Sequence, residues 1–105
     1  MQTVAIHTRL KAEAIDEYEA VHAVIPPELD SALRRAGVKS WKIWRSGQDL
    51  FHWVEVESWD AMEASLATEP ADIAWQPRIA LLLEAGAGGA NLPLVWELPT
   101  RPAQL

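Results

Sequence analysis

The chain contains no cysteine, which excludes disulfides, iron–sulfur clusters and thiolate-bound zinc. It also lacks any apolar run approaching a membrane span. Met1 to Leu10 has no charged leader followed by an apolar core, so a soluble, cytoplasmic protein is expected. Positive charge is scarce: nine Lys plus Arg stand against fifteen Asp plus Glu, a formal net charge of −6. The basic residues (Arg9, Lys11, Arg34, Arg35, Lys39, Lys42, Arg45, Arg78, Arg101) are scattered. No field draws phosphate backbones or anionic headgroups, so neither nucleic acid nor membrane is an expected partner. No glycine-rich phosphate loop follows a strand, and no G-x-S-x-G elbow occurs. The glycine-rich segment Gly86 to Gly89 follows a helix and reads as a connector.

What the chain does have is apolar surface to bury. Its 105 residues are 50% hydrophobic, which fits one domain over 1–105 with a real core. A domain this short buries a limited share of its surface, and dimerisation would bury more. Six tryptophans stand beside one Tyr and one Phe. An indole suits cores, interfaces and sugar-stacking platforms alike, and most of the six are expected in the first two.

Residues 2–10 alternate as a strand, with Val4, Ile6, Thr8 and Leu10 on one face. Residues 11–25 carry good helix formers until Pro26-Pro27 interrupts them. Pro27 then opens a second short helix that Gly37 stops. VKSWKIWR (38–45) and LFHWVEVE (50–57) flank the turn Ser46-Gly47-Gln48-Asp49 and predict a hairpin. Ser58 caps a helix over about 59–67, and another is expected over about 70–85, with Pro77 inside it and Gly86 ending it. GAGGAN (86–91) reads as a loop and LVWEL (94–98) as a last strand. The order is the βαββαβ plan of a ferredoxin-like α+β domain with each helix broken in two: helices on one face of a four-stranded antiparallel sheet. Both faces of the second hairpin strand are apolar, Leu50, Val54 and Val56 against Phe51 and Trp53, which predicts a partner on the open face.

Ile15, Tyr18, His22 and Ile25 form one stripe at spacings of three, four and three. Tyr18 and His22, one turn apart, can both hydrogen-bond, and histidine exchanges protons near neutral pH. Spacing alone equally fits a satisfied core histidine beside a core tyrosine. His7 and His52 lie mid-strand on expected neighbours; they read as ordinary sheet residues, since no third metal ligand is evident. Asp16, Glu17 and Glu19 lie off the stripe, suit the first half of a helix, and are assigned no chemistry.

Several segments taken in order resemble the L-rhamnose mutarotase family: Tyr18-x-x-x-His22, Ile25-x-Pro27-Glu28-Leu29, Gly37-Val38 leading to Trp41 and Ile43, Leu50-Phe51-x-x-Val54-Glu55-Val56-Glu57, Trp75-Gln76, and Val95-Trp96-Glu97-Leu98. The resemblance implies a ferredoxin-like homodimer of the dimeric α/β-barrel type. It implies interconversion of the α and β anomers of a deoxy-sugar, L-rhamnose first, with neither metal nor cofactor. It places the proton-donating histidine on His22 and substrate contacts on Tyr18, Trp41, Trp75 and Gln76. The family usually carries tyrosine where this chain has Trp41, and an aromatic pair where it has Trp75-Gln76. Two other functions share such a fold: a cofactor-free monooxygenase or cyclase, and a small-ligand-binding module without chemistry.

Overall fold

The computed structural model describes residues 1–86 and 90–100. Strand β1 (Gln2–Arg9) leads through one 3-10 turn (Ala12–Ala14) into α1 (Ile15–Ala23). The two prolines end α1, because the residue before a proline is pushed out of helical geometry, and α2 (Pro27–Arg35) starts with Pro27 in its first turn. Gly37 follows at φ +98°; a Cβ there would lie 3.3 Å from the Cβ of Glu57, so the turn into the sheet needs glycine twice over. Strands β2 (Val38–Ser46) and β3 (Asp49–Val56) form the expected hairpin across Gly47-Gln48, with positive φ at Gly47 alone, the pattern of a type II′ turn. Helix α3 (Trp59–Leu66) is capped by the Ser58 hydroxyl, which accepts from the Ala61 N–H at 3.2 Å.

The sheet order is β2-β3-β1-β4, antiparallel throughout, with the helices on one side: the ferredoxin-like arrangement that the element order predicts. Register fixes which residues face the helices. Val4, Ile6 and Thr8 of β1 lie beside Val54, His52 and Leu50 of β3. Across β3, those same residues meet Trp41, Ile43 and Arg45 of β2. A bulge between Val38 and Ser40 inserts one extra residue, so that Val38 and Trp41 share the inner face although their numbers differ by three.

Two apolar clusters occupy the inner layer. One joins Ile6, Val54 and Val56 to Ala32, Ala36, Met62 and Leu66, and the other joins Leu10 and Leu50 to Ala14, Tyr18 and Leu82. On the outer face Phe51, Trp53 and Trp44 remain exposed, as the two-sided pattern of the strands predicts.

Three boundaries differ from expectation. Helix α1 spans Ile15–Ala23 rather than 11–25, with a 3-10 turn before it and extended backbone at Val24, so Ile25 falls outside the helical stripe of Ile15, Tyr18 and His22. Helix α4 (Pro70–Ala80) stops five residues before position 85. The chain there is drawn onto the end of β1: Leu83 bridges Leu10, and the Lys11 and Glu84 N–H groups donate to Leu82 and Arg9 carbonyls. The last strand, β4, is Ala90–Asn91 rather than 94–98. It pairs with Ile6 and His7, the Leu92 N–H adds a bond to the Ala5 carbonyl, and Pro93 then has no N–H with which to extend the ladder. Leu94, Val95, Trp96 and Leu98 consequently stand exposed outside any strand. Positions 87–89 of the expected loop lie outside the described residues.

Truncating the fully buried Leu10 to alanine is expected to cost about 2–5 kcal/mol in denaturant unfolding, because the site is pinned by backbone bonds and collapses poorly. Val24→Ala, at a side chain 85% exposed, should stay within about 0.5 kcal/mol of the parent.

Candidate active site

Helix α1 brings Tyr18 and His22 to the sheet in one turn. Tyr18 is buried in the second apolar cluster, and its ring stacks on the His22 imidazole with centroids 4.1 Å apart. Trp75, from α4, meets the same imidazole in a T-shaped arrangement with centroids 5.2 Å apart, and the Arg78 guanidinium lies 5.6 Å over that indole. His22 Nδ1–H donates to the Tyr18 carbonyl at 2.9 Å, a group that can only accept. Nε2 is therefore the nitrogen left to exchange a proton, carrying the lone pair in neutral His22 and a second N–H in its cation. Burial pushes the His22 pKa below its ordinary value, and nearby Arg78 adds to this; the bond to the Tyr18 carbonyl works in the opposite direction. Burial also raises the Tyr18 phenol to about 12, so its hydroxyl stays protonated at neutral pH.

Tyr18 and His22 open on a cavity of about 390 Å³ whose walls also include Glu19, Ile43, Trp44, Arg45 and Leu50. That volume accommodates a monosaccharide. Glu19 and Arg45 close one side with a 2.7 Å ion pair between α1 and β2. Neither was legible as a site residue from composition. The available signals were spacing and alternation: Glu19 lies three residues before His22, and Arg45 shares the inward parity of Trp41 and Ile43.

The five residues singled out from sequence do not all meet. His22 stacks on Tyr18 and meets Trp75 in a T-shaped contact, but Trp75 is not among the residues that line the His22 cavity. Trp41 lines a separate hollow of about 160 Å³ whose walls are half apolar (Ile25, Leu33, Val38) and half polar (Asp30, Arg34, Lys39, Ser40). Gln76 is exposed on α4, where its amide donates to Asp72 one turn earlier. The two strand histidines part company: register puts His7 opposite Phe51 on the outer face, hydrogen-bonded to Asp49, whereas His52 stands opposite Ile6 on the inner face. They are not a metal pair. His52 is instead tied to Trp41 and Thr8, and its inward parity with Leu50, Val54 and Val56 was the signal for it.

The L-rhamnose mutarotase family matches this sequence over residues 3–98. The chain belongs to that family. No curated protein matches it in sequence. Among solved structures, it is similar to an L-rhamnose mutarotase from Formosa agariphila, with a TM-score of 0.73 and 19% identity over 96% of this chain and 100% of that one. It also resembles the tetracenomycin F2 cyclase of Streptomyces glaucescens (TM-score 0.61, 18% identity, 94% and 100% covered). A candidate antibiotic biosynthesis monooxygenase from Nitrosomonas europaea is similar too (0.64, 11%, 91% and 100%). At these identities the likeness establishes a shared fold, and membership of the mutarotase family is what separates this chain from the other two.

Burial holds the His52 pKa down to about 4, with His22 and His7 adding repulsion against its cation. The unfolded chain therefore takes up a proton below about 6.5 that the folded one refuses until about 4, and stability should fall as pH drops through that window. The loss should be at most about 3 kcal/mol, reduced by the ring's partial contact with solvent. Urea denaturation at several pH values should show a shallower slope in His52→Gln.

Proposed function

We propose that this protein is a mutarotase that interconverts the α and β anomers of a deoxy-sugar pyranose, with L-rhamnose as the first candidate. The observation that carries the reading is His22. Its Nδ1 is spent on a backbone carbonyl and its Nε2 has no partner among the described residues; its ring stacks on a phenol that shares with it the wall of a sugar-sized cavity.

Mutarotation opens the ring to the free aldehyde, turns C1, and closes on the other face. Opening needs a proton on the ring oxygen and loss of one from the anomeric hydroxyl. His22, in its protonated form, gives the ring oxygen a proton from Nε2 and takes it back on closure. The Tyr18 hydroxyl donates to the sugar and orients it, while Trp75 supplies a stacking surface for a C–H face. The anomeric proton goes to water or to the Glu19 carboxylate in the cavity wall. Trp41, in the separate hollow, and Gln76, exposed on α4, stay in the proposal as substrate contacts on the strength of the family resemblance alone. Sparse machinery is sufficient, because mutarotation already proceeds measurably in water and general acid–base help contributes about 10² to 10⁴-fold.

The reading also assigns the outer sheet face to a second copy of the chain. Phe51, Trp53 and Trp44 together with the exposed apolar stretch Leu94–Leu98 are too much apolar surface to leave in water. Among the described residues no helix is long and apolar enough to cross a membrane.

Saturation transfer between the anomeric protons of L-rhamnose, measured by NMR, tests the activity. The wild-type protein should accelerate exchange, His22→Ala should lose about 10² to 10⁴-fold while remaining folded, and Tyr18→Phe should weaken turnover. The acid role further requires the rate to decline as pH rises through the lowered His22 pKa; a rate that rises with pH would make the neutral imidazole a base instead. Without transfer on any deoxy-sugar the mutarotase reading fails, and quinol-type substrates of the cyclase and monooxygenase class come next. Sedimentation velocity should show a dimer that Trp53→Glu converts to monomer; a monomeric parent would refute the assembly.

A further inference from the structure

An ion pair stands in the wall of the cavity that His22 lines, and a single contact joins it. Arg45 lies on the inner face of β2; Ile43 and Leu50, its neighbours along and across the ladder, line the same cavity. Its Nε–H donates to Glu19 Oε2 on α1 at 2.7 Å, and its Nη1 donates to the Gly47 carbonyl in the hairpin turn at 2.9 Å. The guanidinium is thus pinned at two points. Its Nη2, the donor beside Nε on the same edge of the fork, has no partner among the described residues, and neither has Glu19 Oε1. Arg34 shows the alternative: its Nε and Nη2 take both oxygens of Asp30, at 2.7 and 3.4 Å. A fork engaged in that way has little left for a ligand, whereas the Glu19–Arg45 pair keeps one donor and one acceptor at the cavity.

We propose that Glu19 and Arg45 form a diol-binding subsite of the sugar site, Arg45 Nη2 donating to one ring hydroxyl and Glu19 Oε1 accepting from the hydroxyl on the neighbouring carbon. This rests on the mutarotase reading above. A vicinal diol presents an oxygen that accepts beside an O–H that donates, the complement of this pair. Glu19 and His22 are three residues apart on α1, and such neighbours stand about 5–6 Å apart on a helix surface. A pyranose ring bridges that gap. With His22 at the ring oxygen, the pair meets the hydroxyl across the ring, on C3, and one beside it. Anchoring there leaves C1 and its hydroxyl free to turn, as anomer exchange requires. With its carboxylate engaged on the diol, Glu19 is not the base, and the anomeric proton passes to water.

The test measures anomer exchange of L-rhamnose, and of L-rhamnose deoxygenated at C3, by saturation transfer over a range of sugar concentrations. In the wild type the missing hydroxyl should lower kcat/KM by about tenfold to a hundredfold, the range of a hydrogen bond to a charged group. Arg45→Ala and Glu19→Ala should each raise KM for L-rhamnose by about tenfold or more, with a smaller change in kcat, and bring the two sugars within about threefold. Both side chains reach solvent, and exposed pairs add little to stability, so these variants should fold. Arg45→Lys keeps a charge for Glu19 but loses the fork, and should resemble Arg45→Ala; a wild-type KM with lysine would reduce the pair to a charge contact and overturn the subsite. Glu19→Gln can hold a hydroxyl but takes up no proton, so its defect should fall on KM. A loss confined to kcat would make Glu19 the base and overturn the subsite. Folded alanine variants with unchanged KM and sugar ratio overturn it as well, and leave the mutarotase reading standing. Wild-type protein that exchanges no deoxy-sugar overturns that reading, and this subsite with it.

Discussion

Tyr18 lies at 4% exposure among Leu10, Ala14, Leu50 and Leu82, so one ring joins α1 to the end of β1, to β3 and to the segment that follows α4. Helix α1 is nine residues long and has no side-chain cap at its start. A helix that short is marginal without tertiary contacts, and the buried ring is what holds it against the sheet. One turn later His22 inherits that placement: its ring stacks on the phenol and its Nδ1 is bound to the carbonyl of the same residue. Its orientation is therefore set before any ligand arrives. The chemistry assigned to Nε2 depends on Tyr18 being a core residue at one end and a polar one at the other.

The rest of the site follows from how few polar groups the inner layer admits. Thr8, His52 and Trp41 satisfy one another across three strands, and Glu19 satisfies Arg45 across the gap between helix and sheet. Among the described residues, no fully buried side-chain nitrogen or oxygen lacks a partner. Such closed networks rigidify a small core, where an unpaired group would cost more than the network supplies. His22 differs: among the described residues only one of its ring nitrogens has a partner, whereas both nitrogens of His52 are engaged, and the proposed proton transfer uses that difference.

Much of this was legible in the sequence, because the elements carry strong local signals. The alternation of β1 and β3, the proline break after α1, the Gly47 turn and the Ser58 cap lie where their chemistry puts them. What was not legible depends on distant pairing. Helix α4 ends early because Leu82 and Leu83 are captured by Leu10 and Lys11, over seventy positions away in the chain, and no local pattern announces that. The closing strand was placed on the apolar run LVWEL, whereas the ladder stops at Pro93 for want of a donor. Among the candidate site residues, the Tyr18–His22 pair showed through its helical spacing. The inner-face role of His52 required the register, which alone tells it from His7.

The bulge at Val38–Ser40 has a consequence of its own for how this fold can vary. With Val38 turned inward, an unbroken strand would send Ser40, Lys42 and Trp44 toward the helices and expel Trp41, Ile43 and Arg45 to the open face. One added residue reverses that phase, and it is Lys39, an exposed lysine, that takes up the extra step. The identity of every side chain that β2 presents to the cavity is thus held by a count rather than by a contact. The strand can change what stands at position 39 far more freely than it can change whether a residue stands there at all.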